Sequence, residues 1–202
     1  MSLQATCTAL ALCLSIACGN GSSSSASTTT TTVQGQVNDR AFVAQDAIST
    51  QDSGHGFDFA GPGTFVQISD FPGACALEAQ DRGVVDGQRL VLALAVNDAS
   101  GAASPPTSPG VFPVMPQVGT GAGRVAQIYY DGGCWKAQAH KGLSGNVALT
   151  RVDADGSLEG TFDIVLTCDG FSDCTGPDAH LIGSFRSTAC ADLDVNRTPP
   201  CQ

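Results

Sequence analysis

The chain has 202 residues, a formal net charge of −10 and only two lysines, Lys136 and Lys141. That acidity repels a phosphate backbone and an anionic lipid surface alike, so nucleic-acid binding and polybasic membrane contact are excluded. Twenty-four glycines and ten prolines break the apolar residues into short runs without helix-period stripes, which is the composition of an all-β domain rich in turns.

Residues 9–17, Ala-Leu-Ala-Leu-Cys-Leu-Ser-Ile-Ala, form an apolar run well short of the roughly 20 residues that span a bilayer as a helix. Small Ser15 and Ala17 precede Cys18, as a signal-peptide cleavage site requires. The segment Leu14-Ser15-Ile16-Ala17-Cys18 resembles the lipobox of bacterial lipoproteins. The resemblance implies cleavage before Cys18, a diacylglyceryl group on its thiol, acylation of the new amine, and attachment of the chain to the lipid bilayer of the cell envelope, with the outer membrane the expected address. Without lipidation the same cleavage gives a secreted protein. Acyl burial contributes about 0.8 kcal/mol per methylene, so two or more chains hold a protein stably.

Residues 19–32 contain only Gly, Asn, Ser, Ala and Thr and suit a flexible tether. The expected organisation is therefore a signal peptide over 1–17, a lipidated cysteine and linker over 18–32, and a disulfide-bonded β domain over 33–202. This layout, with Ser144-Gly145-Asn146-Val147 and Gly160-Thr161-Phe162, resembles surface lipoproteins of myxobacteria. The resemblance implies no particular activity and no catalytic residues.

Within the folded part, strands are expected over 33–38, 41–48, 64–69 and 88–96. The last is apolar on both faces and should be central. A turn of helix fits Cys75 to Gln80, and residues 100–123, rich in Gly, Pro and Ser, suit a long surface excursion around Val111–Met115. A hairpin turning at Gly132-Gly133 would pair Tyr130 with Trp135. It would set Ile128, Tyr130, Trp135, Ala137 and Ala139 toward the core, and Gln127, Tyr129, Lys136, Gln138 and His140 toward water. Tyr129, Lys136 and His140 are then the candidate ligand-binding residues, with the exposed Tyr129 ring as a stacking surface for a glycan.

Val147 and Leu149 alternate with polar neighbours, and Asp153-Ala154-Asp155-Gly156-Ser157 has the composition of a hairpin turn. The same carboxylates could offer calcium ligands, but the spacing and flanking helices of an EF-hand are missing. Leu158, Gly160, Phe162, Ile164 and Leu166 share one face of the next strand, and Leu181, Gly183 and Phe185 one face of another. The twin Gly-x-Phe segments suggest neighbouring strands. Together these runs predict an antiparallel β-sandwich or barrel of about nine to ten strands.

Cys75, Cys134, Cys168, Cys174, Cys190 and Cys201 follow the linker, an even count that implies a disulfide framework in an exported domain. Proximity in sequence favours Cys168–Cys174 and Cys190–Cys201, leaving Cys75–Cys134. No Cys-x-x-Cys spacing occurs and His55, His140 and His180 are scattered, so neither a metal nor another cofactor is expected. No Gly-x-Ser-x-Gly elbow or His-Glu-x-x-His helix is present. The expected function is a non-enzymatic binding or structural module with a protein or glycan partner. The alternatives are a carbohydrate-binding module, a secreted hydrolase, or a calcium-stabilised sandwich.

Overall fold

The structure is a computed structural model and describes residues 30–52, 59–116, 121–132, 139–170, 174 and 176–194. The described residues are nearly all β. The strands are β1 (Thr32–Gln34), β2 (Gln36–Val37), β3 (Arg40–Ala41), β4 (Asp46–Asp52), β5 (Gly63–Ser69), β6 (Gln88–Asn97), β7 (Ala103–Ser104), β8 (Gly110–Pro113), β9 (Gly123–Gly132), β10 (His140–Val152), β11 (Leu158–Cys168), β12 (Ala179–Arg186) and β13 (Thr188–Ala189). One short helix, α1 (Ala74–Ala79), lies between β5 and β6.

Eleven of these segments form one sheet in the order β1-β12-β11-β10-β9-β6-β5-β4-β13, with β7 beside β6 and β8 beside β10. Only Ser187 separates β12 from β13, so a single stretch of chain borders β11 on one side and β4 on the other. The sheet thereby curls until it closes on itself. Going round the ring, β4, β5, β6, β9, β10, β11 and β12 are joined by antiparallel pairs throughout. With an odd number of strands, alternation of direction must fail once. It fails at the closure, where β13 runs parallel to β4, with Thr188 opposite Ile48 and Ala189 opposite Ser49. The expected all-antiparallel arrangement is thus corrected at this one junction.

The closure is held by a relay of hydroxyl groups. The Leu158 backbone N–H donates to Ser187 Oγ at 3.0 Å. Ser187 Oγ donates to Ser49 Oγ at 2.9 Å, and Ser49 Oγ donates to the Gly156 carbonyl at 2.8 Å. Both serines are buried, so each hydroxyl replaces water at a point where the strand changes partner. The Cys190 N–H then reaches the Ser49 carbonyl at 2.7 Å.

Side-chain alternation places the core. On β11, Leu158, Gly160, Phe162, Ile164 and Leu166 all face inward and are buried, as their spacing predicts. Gly160 lies opposite Phe185, and Phe162 opposite Gly183. A Cβ on Gly160 would sit 2.8 Å from Phe185 Cζ, and one on Gly183 would sit 2.5 Å from Phe162 Cζ. Each ring therefore lies over the glycine of the neighbouring strand, and the two Gly-x-Phe segments are complementary halves of one packing unit. Strand β6 is central, between β5 and β9. Its Leu90, Leu92 and Leu94 join the barrel interior. Its Ala93 and Ala95, with half-buried Val91, form an outer cluster with Phe59, Phe65, Ala103 and Val125. That cover explains why both faces are apolar.

Several sequence expectations change. The run 33–38 divides at Gly35, whose φ of 128° suits glycine, into β1 and β2. The run 41–48 divides into β3 and β4, and β2 and β3 make a small hairpin turning at Asn38 and Asp39, both with positive φ. The described residues of 100–123 lie mostly at the surface, as expected, but not all of them do. They contain β7 and β8, and β8 pairs with β10 while burying Phe112 completely. Val114 accompanies it, bridging Ala126 on β9, so this segment wedges between β9 and β10 where those strands separate.

Among the described residues the disulfides are Cys75–Cys190 and Cys168–Cys174. The first overturns both Cys190–Cys201 and Cys75–Cys134. Proximity in sequence favoured the shorter loop, but closure of the ring carries Cys190 to β4, where α1 presents Cys75. Around this bond Ile48, Ala74, Cys190 and Leu193 form a third apolar cluster outside the barrel. Cys134 and Cys201 lie outside the described residues, as does the signal and linker region through residue 29.

Two outcomes are expected. Ser187→Ala leaves the buried Leu158 N–H without its acceptor and should cost about 1–3 kcal/mol, measured by urea unfolding with an unchanged denaturant slope. The Cys75–Cys190 link spans 115 residues and Cys168–Cys174 spans 6. Loop-closure entropy is about 4–5 kcal/mol for the first and about 2 kcal/mol for the second. The Cys75→Ala/Cys190→Ala double variant should therefore melt well below the Cys168→Ala/Cys174→Ala variant; the reverse order would contradict a closure-clamping role.

Candidate functional site

One mouth of the barrel collects polar and titratable side chains. It is formed by the start of β6, the end of β9, the start of β10, the end of β11 and the start of β12. Three residues stand side by side across its strands. Tyr130 on β9 is directly opposite His140 on β10, and His140 is directly opposite Cys168 on β11.

Tyr130 and His140 are both buried, and their rings meet edge to face with centroids 5.6 Å apart and planes at 83°. Phe42, following the small β2–β3 hairpin, packs on the other side of Tyr130 at 6.2 Å. The Tyr130 hydroxyl donates to Gln88 Oε1 at 2.7 Å. Gln88 in turn donates from Nε2 to the Ala41 carbonyl at 3.0 Å and to Asp70 Oδ2 at 2.9 Å, and from its backbone N–H to Asp70 Oδ1 at 2.6 Å. Arg40 approaches Asp70 at 3.5 Å and also donates to the Asp86 carbonyl. This network fastens the β2–β3 hairpin to the barrel rim. Burial disfavours the Tyr130 phenolate and pushes its pKa from the ordinary 10 up to about 12.

Beside it, Glu78 of α1 is buried with its charge compensated. Gln67 Nε2 donates to Glu78 Oε1 at 3.3 Å, and Arg89 lies 3.9 Å from the same oxygen while pairing with Asp131 at 3.0 Å. These groups bind α1 to the outer wall and form no cleft.

At the same mouth His140 stands with Cys168 and Cys174. Their ligand-type atoms all lie within 4.8 Å of one another, the one His/Cys/carboxylate group so spaced among the described residues. His140 Nε2 is 3.2 Å from Cys174 Sγ. Both sulfurs are bonded to each other, which removes their thiolate ligand character. Proximity in sequence joined Cys168 with Cys174, but His140 was missed because it was expected to face water.

That last expectation is corrected. The turn is not at Gly132-Gly133: β9 runs on to Gly132 against Gln88, and Tyr130 pairs with His140 instead of Trp135. The longer connection inverts the alternation and turns His140 inward to complete burial. Of the two candidate ligand-binding residues that are described, His140 is buried and Tyr129 is exposed, at 43 %, beside Lys141. Lys136 lies outside the described residues, as do Trp135 and His55. The burial of His140 removes it from a surface shared with Tyr129.

His180 meets Asp163 at 2.7 Å on the outer surface of β11 and β12. Ser184, two residues along the same strand, is committed to Thr32 Oγ1 and the Thr30 carbonyl. A triad is therefore not assembled around His180 among the described residues. At the β10–β11 turn, Asp155 accepts the Ser157 N–H at 2.9 Å and the Gly156 N–H reaches the Asp153 carbonyl at 3.1 Å. Those bonds to Ser157 hold the Asp155 carboxyl below its usual range. Asp153 accepts from Arg151 at 2.7 Å, so both carboxylates serve the turn itself.

Comparison with family models, with curated proteins and with solved structures finds no match to this chain.

The Tyr130 shift has a measurable consequence. The folded chain holds this proton more tightly than the unfolded chain, so the associated stability is complete below pH 10 and declines as pH rises toward about 12. Ultraviolet difference titration should show a phenolate step near pH 12 that Tyr130→Phe removes; the same step at an ordinary pH would contradict the burial argument.

Proposed function

We propose that this chain is an exported, lipid-anchored envelope module whose barrel serves binding or structure and whose interior carries no substrate. The observation that carries the export reading is the pair of disulfides, since such bonds persist in oxidising compartments outside the cytosol. The lipobox-like segment ending at Cys18, followed by a Gly/Ser/Thr linker, supports anchoring by acyl chains. No helix among the described residues is long and apolar enough to cross a membrane.

The binding or structural assignment rests on how the barrel is filled. Phe42, Phe112, Phe162, Phe185 and Tyr130 occupy the interior together with the inward aliphatic residues. A partner would therefore meet the outer strands or the mouths, and a protein or a glycan suits such a surface. Mass spectrometry of the mature N-terminus should find an acylated Cys18. Cys18→Ala should move the domain from the membrane fraction to the soluble fraction. A mature N-terminus elsewhere, or membrane association unaltered by the substitution, would remove the anchor from the proposal.

A further inference from the structure

The Cys168–Cys174 bond has an imidazole built against it. His140 is completely buried, is positioned by the β10–β11 register directly across from Cys168, and is braced edge-on by Tyr130. Its Nε2 is aimed at Cys174 Sγ at 3.2 Å, whereas both cysteines are only half-buried. Cys75–Cys190 has a different setting: Cys190 is buried in an apolar cluster with Ile48, Ala74 and Leu193, and half-buried Cys75 packs against it. One bond thus has apolar neighbours, and the other sits at a barrel mouth with a proton carrier at one sulfur.

We propose that Cys168–Cys174 is a redox-active disulfide that exchanges with an external dithiol, with His140 as the acid and base at Cys174. A thiolate of the external dithiol attacks Cys168 Sγ. A new sulfur–sulfur bond forms there, the Cys168–Cys174 bond breaks, and its electron pair passes to Cys174 Sγ. The Nε2–H of His140 donates to that departing sulfur and stabilises the thiolate. When the ring is an imidazolium, it passes the Nε2 proton to the sulfur and remains neutral with its other proton on Nδ1. The second thiolate of the same dithiol then attacks its own sulfur in the mixed disulfide and releases Cys168. The dithiol loses two electrons and becomes a disulfide, and Cys168 and Cys174 gain them as thiols; the two protons released by the dithiol balance those taken up. In reverse, His140 removes the Cys174 proton and the protein is the reductant. The substrate class is an extended protein or small-molecule dithiol able to reach the mouth. This chemistry does not depend on whether Cys18 is acylated.

The test follows each disulfide separately. The folded chain is treated with dithiothreitol at neutral pH, quenched with acid, alkylated and mapped by mass spectrometry. Cys168–Cys174 should open at least about tenfold faster than Cys75–Cys190, and His140→Phe should slow that opening about tenfold while leaving Cys75–Cys190 unchanged. Equal rates for the two bonds in the unaltered protein, or an undiminished rate in His140→Phe, would overturn the proposal. If His140→Phe does not fold, the reduced unaltered protein decides the matter through the pH dependence of iodoacetamide alkylation. Cys174 should then react with a midpoint about one unit or more below that of Cys168. Coincident midpoints would reject a role for His140.

Discussion

Everything in this fold depends on how a seven-strand ring is closed. An odd ring of alternating strands cannot close antiparallel, so one seam must be parallel, and a parallel pair is slightly less stable per residue. The chain meets this constraint within one segment. Strand β12 completes its ladder with β11, Ser187 turns the backbone, and β13 continues against β4. At the turn the backbone groups of Leu158 lose their regular ladder partner, and the Ser187 N–H and hydroxyl take them over, at 2.8 Å to the Leu158 carbonyl and 3.0 Å from its N–H. Three residues after Ser187 the Cys190 N–H is on the Ser49 carbonyl, and its sulfur is on Cys75. A short seam thus carries a hydroxyl relay, a parallel bridge and a covalent bond together.

Closure also explains the distribution of apolar side chains. A single sheet wrapped on itself buries one face of every strand, and that face forms the large interior cluster. The outer face needs cover only where apolar residues remain on it. Phe59 and β7 supply that cover over β5, β6 and β9, while α1 and the segment around Leu193 supply it over β4. The β9–β10 separation would open the wall of the barrel, and β8 fills it by pairing with β10 and placing Phe112 inside. Arg124 lies 5.5 Å over that ring and donates to the Pro109 carbonyl, which ties the wedge to β9.

What could be read from the sequence was local. The alternation of 158–167 and the turn at Asp155-Gly156 depend on period and turn chemistry within about a dozen residues, and both appear as expected. The two apolar faces of 88–96 correctly marked a central strand. What escaped was non-local or depended on a single turn length. Cys75 and Cys190 come together only because the ring closes, which no spacing rule contains. His140 was assigned to the wrong face because Gly132-Gly133 offers a plausible two-residue turn, and an error of one position in register inverts every side chain beyond it. Residues 100–123 carry the composition of a loop, and only the gap between β9 and β10 gives Phe112 a reason to be inside.

That inverted register is also what gives the mouth its chemistry. With a tight turn, His140 would be one more polar residue on a wet face, remote from Cys168 Sγ. With the longer connection it shares an inward face with Tyr130 and stands beside the disulfide. The opposite end of the barrel is where the chain arrives from its N-terminal side. Thr30 and Thr31 contact Ser184 and Arg186, and β1 then runs along β12 from Ser184 toward Ile182. A linker attached there holds the barrel by the end remote from Cys168. The mouth carrying His140, Cys168 and Cys174 therefore lies at the end of the barrel opposite the entry of the chain. The polarity of the barrel and the placement of His140 beside Cys168–Cys174 are thus two results of the same strand order.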